Sequence, residues 1–341
     1  MLDLRTVPHT DPVDIYRVRD GIYAADMLLT AIVYLDLFSR LAEKPATREE
    51  LCRALATIDR PTDVMLTLFA AMELIEEREQ TFHLTTKARE HLVKTSPWFL
   101  GPYYESLKNR PVALDLLKVL RTGKPANWGS QKDETDWHTA METEAFAAQF
   151  TAAMDCRGVY LAQAVAKSLD LTRRRRLLDI AGGSGIYACS LVAHHPHLSA
   201  TVFEKRPVDG LAARAIAARG CTEKVNAVAG DMLVDSLPSD ADVHLWSNVL
   251  HDWDEPVVRQ LIARSFDALP AGGLIVIHDA FLNAEKNGPL HVAEYSVLLM
   301  HSSEGRCYST REMEWYLADA GFRGATYRDT AAARGIMTAT R

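Results

Sequence analysis

The chain has 341 residues, 48% of them hydrophobic and 24% charged, and a formal net charge of -7. That length favours two domains with cores that need no staples, and the acidic balance argues against nucleic acid as a partner. No apolar run approaches the roughly 20 residues of a membrane span, and the five cysteines are scattered without a CxxC pair. With no signal-like N-terminus, this reads as a reduced cytoplasmic protein.

The first third is helical in pattern. From Tyr23 to Phe38, apolar residues at helix spacing (Met27, Leu28, Ala31, Ile32, Leu35, Phe38) predict one helix. Thr47 with Glu50 three residues on is a capping box opening a helix over Arg48 to Leu55. Arg60-Pro61-Thr62-Asp63 opens another, with a face of Val64, Leu68, Ala71, Met72 and Ile75. A charged turn, Glu76 to Gln80, and a strand, Thr81 to Leu84, complete a winged-helix pattern.

Winged helices often bind DNA, but a phosphate-contacting helix needs clustered Lys and Arg. This one is mostly apolar, carries Asp63 and Glu73, and has only Arg60 near its start. Packing or dimerisation is the expected role. The apolar faces Leu28, Ile32, Leu35 and Val64, Leu68 predict a homodimer.

From Ser96 to Gln131, helices are interrupted by Pro97, Pro102, Pro111, Gly123 and Pro125. The aromatics there (Trp98, Phe99, Tyr103, Tyr104, Trp128) are expected to serve packing. Thr139 to Leu169 is helical again and bridges onward. The chain thus divides into a winged-helix dimerisation domain (1–95), a helical linker with acceptor-pocket helices (96–170) and a ligand-binding domain (171–341).

From Leu177, short apolar runs alternate with helices: Leu177–Ile180, Ala200–Phe203, Val225–Val228, Val243–Ser247 and Leu274–Ile277. That alternation predicts an α/β, Rossmann-like domain with a mostly parallel sheet. Two final runs, near Thr326 and over Ile336–Thr340, lack a long helix between them and predict an antiparallel edge hairpin.

The first of these strands runs into Ala181-Gly182-Gly183-Ser184-Gly185, a turn whose glycines allow close backbone approach to a ligand at a helix N-terminus. Gly183 to Ala188 also satisfies the dinucleotide fingerprint, a weak signal alone. Three acids at successive strand ends decide between cofactors. Asp179 suits the ammonium of an amino-acid cofactor and would repel a pyrophosphate. Glu204 is placed for ribose hydroxyls, and Asp231 with Met232 for an adenine ring. The set predicts S-adenosylmethionine, held by Asp179, Gly182, Gly183, Gly185, Glu204, Asp231, Met232 and Ser247.

The fourth strand ends in Ser247-Asn248-Val249-Leu250-His251-Asp252-Trp253-Asp254. With LLDIAGGSG, FEKRPV, AGDML, ALPAGGLIVIHDA and EGRCYSTREMEWYLADAGF, this resembles the small-molecule O-methyltransferases that carry a winged-helix dimerisation domain, over nearly the whole chain. The resemblance implies a homodimer in which His251 deprotonates an acceptor hydroxyl during in-line methyl transfer. Plant members flank that histidine with two glutamates. Asp279 is a shorter stand-in for the first, and Cys307 falls where the second would be.

A weaker resemblance, to metal-dependent C-methyltransferases of 2-oxo acids, implies a divalent or ferric ion on His251, Asp252 and His301. In either case the acceptor pocket is expected to draw on Met154, Arg157, Met300 and His301, with Arg157 suited to an acceptor carboxylate or to an interdomain salt bridge.

Overall fold

The computed structural model describes residues 4–126 and 137–341, and Trp128 lies outside the described residues. Two compact units are present: one of Asp14–Glu134 with Leu282–Ser309, the other of Met1–Val13, Thr135–Phe281 and Thr310–Arg341.

The first unit is mainly helical. The expected helix from Tyr23 to Phe38 is broken: Ala24–Leu29 passes into a π-turn, Thr30–Tyr34, and Leu37–Glu43 follows. Leu35 N–H reaches back five residues to the Thr30 carbonyl, and Asp36 then takes a left-handed φ of 53°. The Thr30 hydroxyl donates to the carbonyls of Asp26 and Ala113 and so holds the break in place.

Strands β1 (Ala46–Thr47), β2 (Ile75–Arg78) and β3 (Thr81–Leu84) form an antiparallel sheet in the order β1-β3-β2. The capping box is present: Glu50 N–H donates to Thr47 Oγ1 at 3.2 Å, and Thr47 N–H to Glu50 Oε2 at 2.9 Å. Ile75 is a strand residue and not, as its spacing suggests, part of a helix face. The helix Asp59–Ala71 stops early because Glu73 turns left-handed (φ 56°) and Leu74 N–H caps the Phe69 carbonyl. The charged segment is mostly strand, with the turn confined to Glu79 and Gln80, both at positive φ as a tight hairpin demands.

The same helix would enter a DNA groove in a groove-reading winged helix. Here Pro61 to Phe69 are buried. Arg60 donates to the carbonyls of Gly305 (2.8 Å) and Gly123 (2.7 Å). Asp63 is paired with Arg48 at 2.6 Å, with Arg306 at 3.3 Å and with Lys286. The apolar residues expected to await a second copy are already covered: Ile32, Leu35, Val64 and Leu68 keep almost no exposure. Conversely, Trp98 and Tyr103 are exposed, so the aromatic cluster does not pack as a whole. Tyr103 lies on the short helix Gly101–Glu105, which has Pro102 at its start.

The second unit holds a seven-stranded sheet: β4 (Arg176–Ile180), β5 (Ser199–Glu204), β6 (Val225–Ala229), β7 (Val243–Ser247), β8 (Leu274–Asp279), β9 (Arg323–Asp329) and β10 (Gly335–Thr340). The order is β6-β5-β4-β7-β8-β10-β9. The first five pair in parallel, and β10 inserts antiparallel between β8 and the edge strand β9. The sheet is Rossmann-like with an antiparallel edge hairpin, as the strand spacing predicts. Strand order reverses at β4: the chain goes to β5 and β6 on one side and then to β7 on the other. Ligands of open α/β sheets bind at the carboxyl ends beside such a switch. β4 and β7 are where the glycine turn and the His251 motif emerge.

Candidate active site

β4 is buried on both faces, and its penultimate residue, Asp179, is fully buried. The following turn is shaped around that carboxylate. A Cβ on Gly182 would stand 2.5 Å from Asp179 Cγ, so no larger residue fits without displacing the acid. One Asp179 oxygen accepts from Ala188 N–H at 3.3 Å, while Oδ1 has no hydrogen-bond partner among the described residues. Burial, with the charge of Glu204 adding to it, pushes the Asp179 carboxyl up to about 7. A buried carboxylate short of a donor is costly unless a cation satisfies it. An ammonium group is such a cation, so the site fits the amino-acid end of S-adenosylmethionine.

Glu204 ends β5 and accepts from Gly183 N–H at 3.1 Å and from Lys205 N–H at 2.9 Å. Burial raises it to about 7 despite these donors. Gly183, at φ 56°, gives the turn its course. Asp231 follows β6 and accepts from Leu233 N–H at 2.8 Å, with Met232 half-buried beside it. The cofactor-site residues named from the sequence therefore cluster at the carboxyl ends of β4 to β7.

His251 lies in a single 3-10 turn, Leu250–Asp252, just beyond β7, and is buried. Its Nδ1 is 2.5 Å from Asp279 Oδ1 at the end of β8, and its Nε2 is 3.8 Å from Asp252 Oδ1, beyond hydrogen-bond distance. Burial works against charging the ring, but Asp279 and Asp252 outweigh it and raise the His251 pKa above its usual value. Burial opposes ionisation of Asp279 too, yet the attraction and hydrogen bond from His251 bring it below the usual carboxylate range. Asp252 is pushed by burial up to about 6, with His251 pulling the other way. Arg157, on the long helix Glu144–Ser168, adds positive charge to this group and favours ionised Asp252. Met154 lies on the same helix, half-buried.

The metal alternative finds no support. Among the described residues no group of three His, Cys, Asp or Glu could hold a metal ion. The Nδ1 of His251 is taken by Asp279. His301 belongs to the other unit, on the helix Leu290–Ser302 with Met300, where its ring lies 4.6 Å from that of Tyr23 and its Nε2 3.8 Å from Asp115. Cys307 is buried in that unit too, its N–H donating to Ser296 Oγ.

Four further polar residues stand around the site. Asp155 binds the Ser184 hydroxyl of the glycine turn and also Arg219. Tyr187, Asn248 and His278 form a chain with Ser247: Asn248 Nδ2 donates to Tyr187 Oη and to Ser247 Oγ, each at 3.1 Å, and Ser247 Oγ is 2.9 Å from His278 Nδ1. The signal for His278 lies in Ile275-Val276-Ile277-His278-Asp279, where a histidine follows a run of apolar strand residues.

A family model for the O-methyltransferase domain matches residues 115–323. The chain belongs to the O-methyltransferase family. It is similar to the 3-hydroxy-5-methyl-1-naphthoate 3-O-methyltransferase of Streptomyces sahachiroi, with 33% identity over 296 residues, 86% of this chain and 84% of that protein. It is also similar to the tetracenomycin polyketide synthesis 8-O-methyl transferase of Streptomyces glaucescens, with 31% identity over 92% of this chain and 93% of that one. Among solved structures, an O-methyltransferase family 2 protein from Planctomyces limnophilus DSM 3776 in complex with apigenin matches with a TM-score of 0.89 and 32% identity, over 100% of this chain and 99% of that one. The protein is an S-adenosylmethionine-dependent O-methyltransferase of small molecules.

Proposed function

We propose that this O-methyltransferase acts on a phenolic hydroxyl of a multi-ring aromatic acceptor, with His251 as the general base. The observation that carries this reading is the buried His251–Asp279 contact at 2.5 Å. With Nδ1 held by Asp279, proton exchange falls to Nε2. Asp279 and Asp252 stabilise the imidazolium that forms when Nε2 takes the acceptor proton. Their effect also raises the ring's proton affinity toward that of a phenol, whose pKa is about 10, and so narrows the gap the transfer must cross.

S-adenosylmethionine would be held by Asp179, Gly182, Gly183, Gly185, Glu204, Asp231, Met232 and Ser247, and it supplies an electrophilic methyl group when bound. Arg157 carries positive charge toward His251 and Asp252, and would suit an acidic group on the acceptor. The three relatives named above, a naphthoate methyltransferase, a methyltransferase of polyketide synthesis and a protein in complex with apigenin, support an aromatic acceptor. The N-terminal helices and hairpin serve as a winged-helix dimerisation element. Exposed Ile15, Val18, Trp98 and Tyr103 are candidates for the dimer surface, and sedimentation showing a monomer at micromolar concentration would contradict this.

The acceptor assignment is tested by incubating the enzyme and S-adenosylmethionine with a hydroxynaphthoate and with a hydroxyflavone. A methoxy signal in the product spectrum is expected with at least one. A methyl group on ring carbon, or turnover only with amine acceptors, would overturn it.

A further inference from the structure

His278 and Asp279 are adjacent on β8, so their side chains leave opposite faces of the sheet. Both nevertheless grip the same short segment, the exit from β7. Asp279 takes His251 by its Nδ1. His278 takes the start of the segment twice: its carbonyl accepts from Asn248 N–H at 2.8 Å, and its Nδ1 is 2.9 Å from Ser247 Oγ. Between these grips the backbone makes one sharp bend, at Asn248, where φ is 54°. Asparagine tolerates that conformation better than most residues, and here its side chain is fixed as well, donating to Ser247 Oγ and to Tyr187 Oη. Tyr187 belongs to the helix Ile186–His194, which begins directly after the glycine turn. The chain Tyr187–Asn248–Ser247–His278 therefore joins the cofactor turn to the strand that carries the partner of His251.

We propose that His278 is a positioning residue for methyl transfer, holding Ser247 and Asn248 so that His251 keeps its alignment on Asp279 and on the glycine turn. The proposal rests on His251 being the general base.

The cost the fold accepts at this position supports it. His278 is fully buried, and its Nε2 has no hydrogen-bond partner among the described residues. A buried polar atom left unpaired is destabilising, and an aliphatic side chain among apolar neighbours would cost less. Retaining imidazole here makes sense if Nδ1 is needed. Burial brings the His278 pKa down to about 3, so the ring stays neutral throughout the working range. It can then serve as a fixed hydrogen-bonding group beside a histidine that titrates. The charges acting on it are Asp279 on its own strand, Arg334 beside β10, Arg157 on the long helix and His251 itself. Those acting on His251 are Asp279, Asp252 and Arg157.

The test compares His278→Leu, His278→Asn and His251→Ala with wild type in full-length protein. His278→Leu removes the contact to Ser247 but keeps an apolar volume. His278→Asn places an amide oxygen close to where Nδ1 stood. The expected result for His278→Leu is a fall in kcat of about tenfold or more, the scale of a small misalignment. Its S-adenosylmethionine Kd should stay within about threefold of wild type, its Tm should be equal or higher, and the acid limb of kcat/KM should move down toward the ordinary histidine value of about 6.5 as the grip on Asp279 loosens. His278→Asn should recover most of the lost kcat and restore the limb. A role confined to stability would instead lower Tm and leave the limb in place. Unchanged kcat and limb in His278→Leu, while His251→Ala is inactive, would overturn the positioning role alone. Full activity in His251→Ala would overturn the general-base reading on which it rests.

Discussion

Asp279 lies 2.5 Å from Nδ1 of His251, and both side chains are almost completely removed from solvent. In that setting a carboxylate fixes which ring nitrogen is available and stabilises the charge that the ring acquires. Asp279→Asn keeps the shape but cannot offset an imidazolium. Turnover should fall by about a hundredfold, and the acid limb of kcat/KM should move to lower pH, because the attraction that raises the His251 pKa is lost. An unshifted limb in a pH–rate profile would show that Asp279 does not act on His251. The pair's own stabilisation has two edges. That from Asp279, whose folded pKa is depressed, is lost as pH falls below the carboxylate range. That from His251, whose folded pKa is raised, is lost as pH climbs through the raised value.

Asp179 and Glu204 are both pushed to about 7, chiefly by burial. Each must be ionised to receive an ammonium or to accept strongly from ribose hydroxyls. Binding of S-adenosylmethionine should therefore release protons, and affinity should rise as pH goes from about 6 to 7.5, the interval in which free carboxyls with these values ionise. Calorimetry in two buffers of different ionisation enthalpy reads the released protons directly. Equal heats in both buffers and a flat affinity would contradict the assignment of these two acids. Glu204→Gln should reduce the proton count and weaken binding by about 1.5–3 kcal/mol, as expected for a charged hydrogen bond.

Asp63 ties the segment Leu282–Ser309 to the helix Asp59–Ala71, with Arg48, Arg306 and Lys286 around one buried carboxylate. Burial alone would raise its pKa, but those three cations drive it far below the usual carboxylate range. Removing the anion leaves buried cations opposed only by one another, so Asp63→Ala should cost about 3–5 kcal/mol. Because the folded pKa is depressed, this contribution is present above the ordinary Asp value and is lost as pH drops below it. Denaturant unfolding at pH 7 and pH 3 should show a smaller gap between wild type and variant at the lower pH. A gap of equal size at both would contradict the ionic account.

The strands, their mostly parallel character, the edge hairpin, the glycine turn and the strand-end acids are legible because each depends on local signals: apolar runs of strand length, glycines where backbone and ligand come close, and acids at fixed distances along the chain. The Thr47–Glu50 capping box was legible for the same reason. What escaped depends on contacts distant in sequence. The π-turn at Thr30 is held by the carbonyl of Ala113, 83 residues on. The helix faces at Ile32 and Leu68 looked unpartnered because nothing in a sequence shows that the chain covers them itself. The partners of Asp63 at Lys286 and Arg306 are more than 200 residues away, and a lone acid on an apolar helix gave no hint of them. The role of His278 beside Asp279 is not legible because a histidine in a strand carries no spacing rule of its own.

The most direct measurement is single-turnover methyl transfer from S-adenosylmethionine to a hydroxynaphthoate by wild type and His251→Ala, paired with calorimetric S-adenosylmethionine binding by both. If His251 is the base, the alanine variant should bind S-adenosylmethionine with wild-type affinity and transfer methyl about two to four orders of magnitude more slowly. Raising the pH until the phenol ionises in solution should recover part of that rate, because the proton no longer needs to be taken. A variant that transfers methyl at the wild-type rate at neutral pH would contradict the assignment of His251.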